Sequence, residues 1–163
     1  MRRLLLISYA FPPVAAAEAY VCAKSMAGIP DWEVTVATVD PTANGVAEDH
    51  SLDDYVASRF AHIIRVGPPP WLKSFPPKLA RWLLFRFCAL GRLPDFFYLN
   101  SSLCRCLASL SMAKYSVLVT RSQWPSAHLA GCFLKKHHPH LRWLAHFSDP
   151  WVDNPYVFYY PPT

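Results

Sequence analysis

Five apolar runs punctuate the chain: "RLLLISYA" (3–10), "WEVTVATV" (32–39), "AHIIRVG" (61–67), "YSVLVTRS" (115–122) and "LRWLAHF" (141–147). Their length and near-continuous apolar character predict strands, the first of them buried on both faces of a parallel sheet. The stretches between carry helical spacing. Residues 15–27 are rich in helix formers with apolar positions three and four apart, and Gly28 and Pro30 supply the stop. Residues 78–90 and 98–113 predict two further helices separated by "GRLPD", and "WPSAHLAGCFLKKHH" predicts another with Pro125 in its first turn. Residues 40–60 mix turn formers with acids and predict a loop with room for a short helix, while the Pro-rich residues 68–77 mark a break between packed elements.

The resulting order, β-α-β-loop-β-α-α-β-α-β, predicts an α/β fold with a doubly wound, mainly parallel Rossmann-like sheet and right-handed crossovers, in one domain over residues 1–163. Ligands in that architecture sit beyond the carboxyl ends of the strands. Three loops therefore share one rim: "SYAFPPVAAAEA" after the first strand, "TRSQWPSAH" after the fourth and "HFSDPWVDNPY" after the fifth. The first of these has no Gly, which argues against the pyrophosphate-binding turn of a nicotinamide or flavin enzyme. Ala15, Ala16 and Ala17 still allow close backbone approach, so they either present N–H groups to an anion or start a helix packed tightly on the sheet. Glu18 stands in the first helical turn, where the macrodipole favours an acid with or without a ligand. The last loop concentrates polar groups: His146 titrates near neutrality, Asp149 and Asp153 follow the strand end, and Trp151 offers a flat wall of the kind that packs on sugar rings. A loop rich in Asp, Asn and Pro is also what any turn needs.

Composition narrows the function classes. Apolar residues make up 53% of the 163 and charged ones 17%, which is globular rather than disordered. Sixteen Lys and Arg against eleven Asp and Glu leave a net charge of +5, which favours phosphate-bearing ligands or an anionic membrane surface. The basic residues are dispersed and no nucleic-acid module is present, so nucleic acid is not an expected partner. Five Cys with no C-x-x-C pair read as reduced thiols in a cytoplasmic protein without disulfides. "MRRLLLISYAFPP" has the charge and apolar run of a signal peptide, but it is short, ends in Pro-Pro and lacks a small-residue cleavage pattern, so it reads as a strand. "KKHHPH" (135–140) closes a helix, where cations are favoured, and no metal is expected there.

Residues 78–90 carry a second candidate surface. At ~100° per residue, Lys78, Arg81, Trp82, Phe85 and Arg86 share one helix face, and Leu79, Leu83, Phe87 and Leu90 the other. Trp71 precedes them. Large aromatics among cations fit a helix lying in a membrane interface, peripheral at the inner membrane face, or a surface covered by a partner domain. Arg81 and Arg86 interrupt the stretch, so it does not span a bilayer.

"LLLISYAFPP", a helix and "WEVTVATV", then "VLVTRSQWPSAHLAG" and "RWLAHFSDPWVDNPY", resemble in order and spacing the N-terminal, acceptor-side domain of the glycogen-synthase-like (family 4) glycosyltransferases. The resemblance covers nearly the whole chain, is weakest over residues 40–95, and is most specific in "DPWVDNP". It implies the N-terminal half of a GT-B fold, in which this domain holds the acceptor and a second domain binds most of a nucleotide sugar. It further implies a nucleotide-sugar donor as co-substrate, no permanently bound cofactor, retention without an obligatory metal, and a glycan or lipid-linked acceptor. By the family pattern, Asp149 is the candidate catalytic or acceptor-orienting group, and Glu18, Arg121, His146, Ser148, Trp151 and Asn154 are candidate acceptor contacts. Ala15, Ala16 and Ala17 form the donor-phosphate loop, with Ala16 and Ala17 where many relatives have Gly-Gly; His146-Phe147-Ser148 stands where many have Asp-Phe-Arg. The family's donor-binding half, with paired Glu residues and basic phosphate contacts, has no counterpart in these residues, so the domain is expected to be truncated or split from it and inactive alone. The alternatives are a non-catalytic membrane-surface or partner-binding α/β domain, or another two-domain sugar-phosphate enzyme such as an epimerase.

Overall fold

The computed structural model describes residues 2–44, 46–67, 76, 79, 99–122 and 125–148. Along the chain run β1 (Arg2–Ser8), α1 (Ala17–Ala27), β2 (Trp32–Val39), α2 (Pro41–Asn44), α3 (Asp53–Arg59), β3 (His62–Val66), α4 (Leu99–Ala108), a 3₁₀ turn (Met112–Lys114), β4 (Val117–Ser122), α5 (Pro125–His137) and β5 (Arg142–Phe147). The five strands are all parallel, in the order β3-β2-β1-β4-β5, so the doubly wound Rossmann-like α/β sheet expected from the apolar runs is present.

The central position of β1 explains its composition. Leu6 is paired in register with Val36 on one side and Val119 on the other, and all three belong to the core layer that Cys22 and Ala23 of α1 and Val56 of α3 complete. Leu5 and Ile7 point the other way, into a layer closed by Leu103 and Leu107 of α4 and by Ala127, Ala130 and Leu134 of α5. Helices on both faces favour apolar residues at successive positions, and Leu4 through Ile7 are all buried. β5 differs because it lies at the sheet edge: Leu144, opposite Val119, is 56% exposed.

Local chemistry accounts for the departures from expectation. Residues 40–60 hold two short helices rather than one. Asp40 Oδ1 accepts from the Ala43 N–H at 3.0 Å and Pro41 occupies the first helical position of α2, a capped start that the turn-rich composition hides. α1 ends at Ala27 with Gly28 as its C-cap, as expected, and the left-handed residue of the turn into β2 is Asp31, at φ 64°, where a short polar side chain is tolerated. α4 stops at Ala108 instead of Ala113, where the Ser109 side chain and backbone N–H both bond back to the Cys106 carbonyl and tighten the last turn. The predicted helix over 78–90, with its basic-aromatic face, lies outside the described residues except for Leu79. Among the described residues no helix is long and apolar enough to cross a membrane.

Gly131 sets how closely α5 approaches the sheet. A Cβ there would stand 2.7 Å from Thr120 Cγ2 and 2.9 Å from two atoms of the Trp143 ring. Gly131→Ala is therefore expected to destabilise the fold by about 1–3 kcal/mol in urea unfolding, through overpacking. Stabilisation by about 1 kcal/mol, the ordinary gain in helix propensity, would show that α5 sits farther from β4 and β5.

Candidate functional site

The helices after β1 and β4 pass to opposite faces of the sheet, which makes the crevice between the ends of these adjacent strands the place where a doubly wound fold takes its ligand. The loop after β1 is anchored there by its own polar groups. Ser8 Oγ donates to the Ala10 carbonyl and Thr38 Oγ1 to the Tyr9 carbonyl, both at 2.9 Å. Within the predicted donor-phosphate loop, the Ala15 N–H is donated to the Ala47 carbonyl (2.8 Å) and the Ala16 N–H to the Val14 carbonyl (2.9 Å). Two of the three Ala amides are thus engaged by the chain itself.

Glu18, Arg121 and His146 all lie at this carboxyl edge, and the first two meet each other. Arg121, one residue from the end of β4, is 6% exposed; its Nε donates to Glu18 Oε1 at 2.7 Å and its Nη1 to Ser25 Oγ at 2.8 Å. Glu18, Cys22 and Ser25 follow one another at i, i+4 and i+7 on α1, so the guanidinium lies along a single stripe of that helix. Burial pushes the Cys22 thiol up to about 11, the nearby Arg121 charge offsetting only part of it, and the group stays protonated at neutral pH. His146 is the register partner of Arg121 on β5 and is exposed, as is Ser148 just beyond. Asp149, Trp151 and Asn154 lie outside the described residues, as do Trp71, Lys78, Arg81, Trp82, Phe85 and Arg86.

The opposite face holds a cluster that the motifs did not single out. Thr120 Oγ1 accepts from Trp143 Nε1 at 2.9 Å and lies 2.7 Å from His128 Nδ1. The indole N–H can only donate, and the threonine hydroxyl, with one proton and two lone pairs, pairs with His128 Nδ1 as well. His128 stacks on Phe147 with ring centroids 4.2 Å apart, so the last residue of β5 is held by a ring buried under α5. Burial, with the nearby His146 adding to it, holds the pKa of His128 down at about 4. A His one turn into a helix after a strand is a weak signal on its own; its link to Thr120 and Phe147 needs the pairing of β4 with β5.

A second concavity of about 380 Å³ lies at the ends of β2 and β3, lined among others by Asp40, Glu48, His50, Asp53 and Arg65. It was missed because residues 40–60 read as connecting loop. The acid-rich composition directly after a strand end was the signal. Among the described residues no group of three or more His, Cys, Asp and Glu could hold a metal ion. "KKHHPH" works as a helix terminus: Lys135 Nζ donates to the Pro139 and Leu141 carbonyls at 2.7 Å each, and His137 Nδ1 lies 2.8 Å from the Phe133 carbonyl.

The depressed pKa of His128 has a defined stability signature. With a folded value near 4 and an unfolded one near 6.5, the unfolded chain binds the extra proton, so stability is full above about pH 6.5 and falls as pH drops toward 4. Between pH 7.5 and 5 the loss from this group is about 2 kcal/mol. In urea unfolding, His128→Gln is expected to lose that much less than the parent over the same interval; equal losses would refute the assignment. The sequence matches no protein-family model and no curated protein.

Proposed function

We propose that the chain is the acceptor-side domain of a nucleotide-sugar-dependent glycosyltransferase of the glycogen-synthase-like kind, acting on a glycan or lipid-linked acceptor. The observation that carries the reading is the meeting of motif and topology: "DPWVDNP" begins two residues after β5 ends, at the same carboxyl edge as the loop after the central strand. A transfer of this kind needs an acceptor hydroxyl held against the anomeric carbon and a low-dielectric edge that stabilises the departing diphosphate. Asp149 is assigned to orient the acceptor hydroxyl. His146 and Ser148, both exposed beside it in the chain, contribute hydrogen bonds to the acceptor. Glu18 and Arg121, paired with each other, serve as the frame beneath the rim. A facing domain holds most of the nucleotide sugar, and the net charge of +5 suits approach to a phosphate-bearing donor and an anionic membrane surface.

The test is a transfer assay in which this domain is joined to a donor-binding domain and supplied with radiolabelled nucleotide sugars. Asp149→Asn is expected to lower kcat by about 10²-fold while leaving the donor Kd within about twofold, the pattern of a group that acts on the reacting hydroxyl and not on the donor. Absence of transfer from every nucleotide sugar, or full activity in Asp149→Asn, would contradict the reading.

A further inference from the structure

The pocket at the ends of β2 and β3 combines acceptors, a donor and an apolar floor. Asp40, Glu48 and Asp53 bring three carboxylates to its lining, and Arg65 brings a guanidinium whose Nη2 donates to the Pro12 carbonyl at 2.8 Å. That leaves further N–H groups on a guanidinium that carries five. His50 bridges Glu48 (3.3 Å) and Asp53 (2.8 Å), and both acids, Asp53 foremost, hold its pKa above the ordinary value. Pro13, Pro41, Val56 and Ile63 supply apolar surface between these groups. At about 380 Å³ the volume falls within the roughly 300–1,000 Å³ typical of small-molecule sites.

The wall of this pocket is over-determined. Val14 and Glu48 form an antiparallel bridge, the Asp49 N–H donates to the Pro13 carbonyl at 2.7 Å, the Ala15 N–H to the Ala47 carbonyl, and the Tyr20 hydroxyl to Asp49. Thr42 Oγ1 donates to Glu48 Oε1 at 2.7 Å and orients that carboxylate. Loop 46–50 is thereby clamped against the loop after β1 and against α1, and the polar groups are placed before any ligand arrives. Such preorganisation lowers the ordering cost of binding.

The charge balance selects the ligand. Three carboxylates against one guanidinium and one imidazole leave the lining net negative even with His50 protonated, on a chain whose net charge is +5, so a phosphate is disfavoured here. A free cation is opposed by Arg65. Hydroxyl groups, which donate to carboxylates and accept from guanidinium, satisfy both kinds of group at once, and the C–H face of a sugar ring fits the proline and aliphatic floor. We propose that this pocket binds the hydroxyls of an uncharged sugar, at a site separate from the rim formed by β1, β4 and β5. The inference goes beyond the transferase reading, because it requires binding by this chain alone and neither a donor nor a reaction.

The experiment is a titration of the ¹⁵N-labelled chain, followed by amide chemical shifts, with methyl glucoside, methyl galactoside and methyl mannoside, and in parallel with glucose 6-phosphate and glucosamine. At least one methyl glycoside is expected to shift the amides of residues 40–53 and 62–66 saturably in the millimolar range. Glucose 6-phosphate should bind more weakly than that glycoside. Asp53→Ala and Arg65→Lys are each expected to weaken binding by about tenfold, the scale of one lost hydrogen bond to a charged group, with the amides of β1 and α5 unmoved. Where Arg65→Lys disturbs the spectrum of the free protein, Asp53→Ala, at an exposed position, decides. No saturable shift with any glycoside, shifts confined to the rim, tighter binding of glucose 6-phosphate or glucosamine, or unchanged affinity in Asp53→Ala would overturn the proposal.

Discussion

A charge removed from water governs the layout of this molecule. Arg121 sits on β4 beside the central strand, and its guanidinium is almost wholly buried. An unpaired charge in such a place costs several kcal/mol, so the fold must bring a partner to it. Glu18 is that partner, 103 residues away in the chain, with Ser25 completing the contact from the other end of the same helix. The pair ties α1 to β4 across the topological switch point. Where α1 begins then determines where the loop after β1 must run, and loop 46–50 is built onto that loop and that helix through Val14, Pro13, Ala15 and Tyr20. The ion pair is thus linked through α1 and the loop after β1 to the wall of the pocket at β2 and β3.

The other face of the same edge is set by neutral hydrogen bonds. Trp143, Thr120 and His128 join β5, β4 and α5, and the His128 ring holds Phe147 at the point where the polar "SDPWVDNP" stretch departs. Gly131 lets α5 come close enough for this to happen. A charged network on one face and a neutral one on the other tie the strand ends to the helices that follow β1 and β4. The frame is dry and the rim is wet: Arg121 and Thr120 are buried, whereas His146 and Ser148 reach solvent.

Much of the architecture was legible in the amino-acid order because parallel strands leave a coarse signal. β2 begins and ends where its apolar run does, and α5 begins at Pro125, as its stereochemistry demands. The fine structure of residues 40–60 was not legible, since the cap of α2 depends on one Asp side chain and the rest of the segment is ordered by contacts with the loop after β1. At the candidate site, position was readable and partnership was not. Glu18, Arg121 and His146 were placed at one edge by strand ends alone, but that Arg121 contacts Glu18 rather than solvent follows from β4 lying next to β1, a fact of strand order that local pattern does not carry. His128 was overlooked for the same reason: its partners, Thr120 and Phe147, stand on two strands whose pairing the sequence does not announce.

The dependence of the edge on the buried pair is open to a direct measurement, a double-mutant cycle in urea unfolding at neutral pH with Glu18→Gln, Arg121→Met and the double variant. If the pair is the frame of the fold, each single variant loses about 3 kcal/mol by stranding or weakening the remaining partner, and the double variant loses little more than either alone. That outcome gives a coupling of about 2 kcal/mol or more. Single variants as stable as the parent, with coupling below about 0.5 kcal/mol, would contradict the account and return both side chains to the surface that meets a ligand.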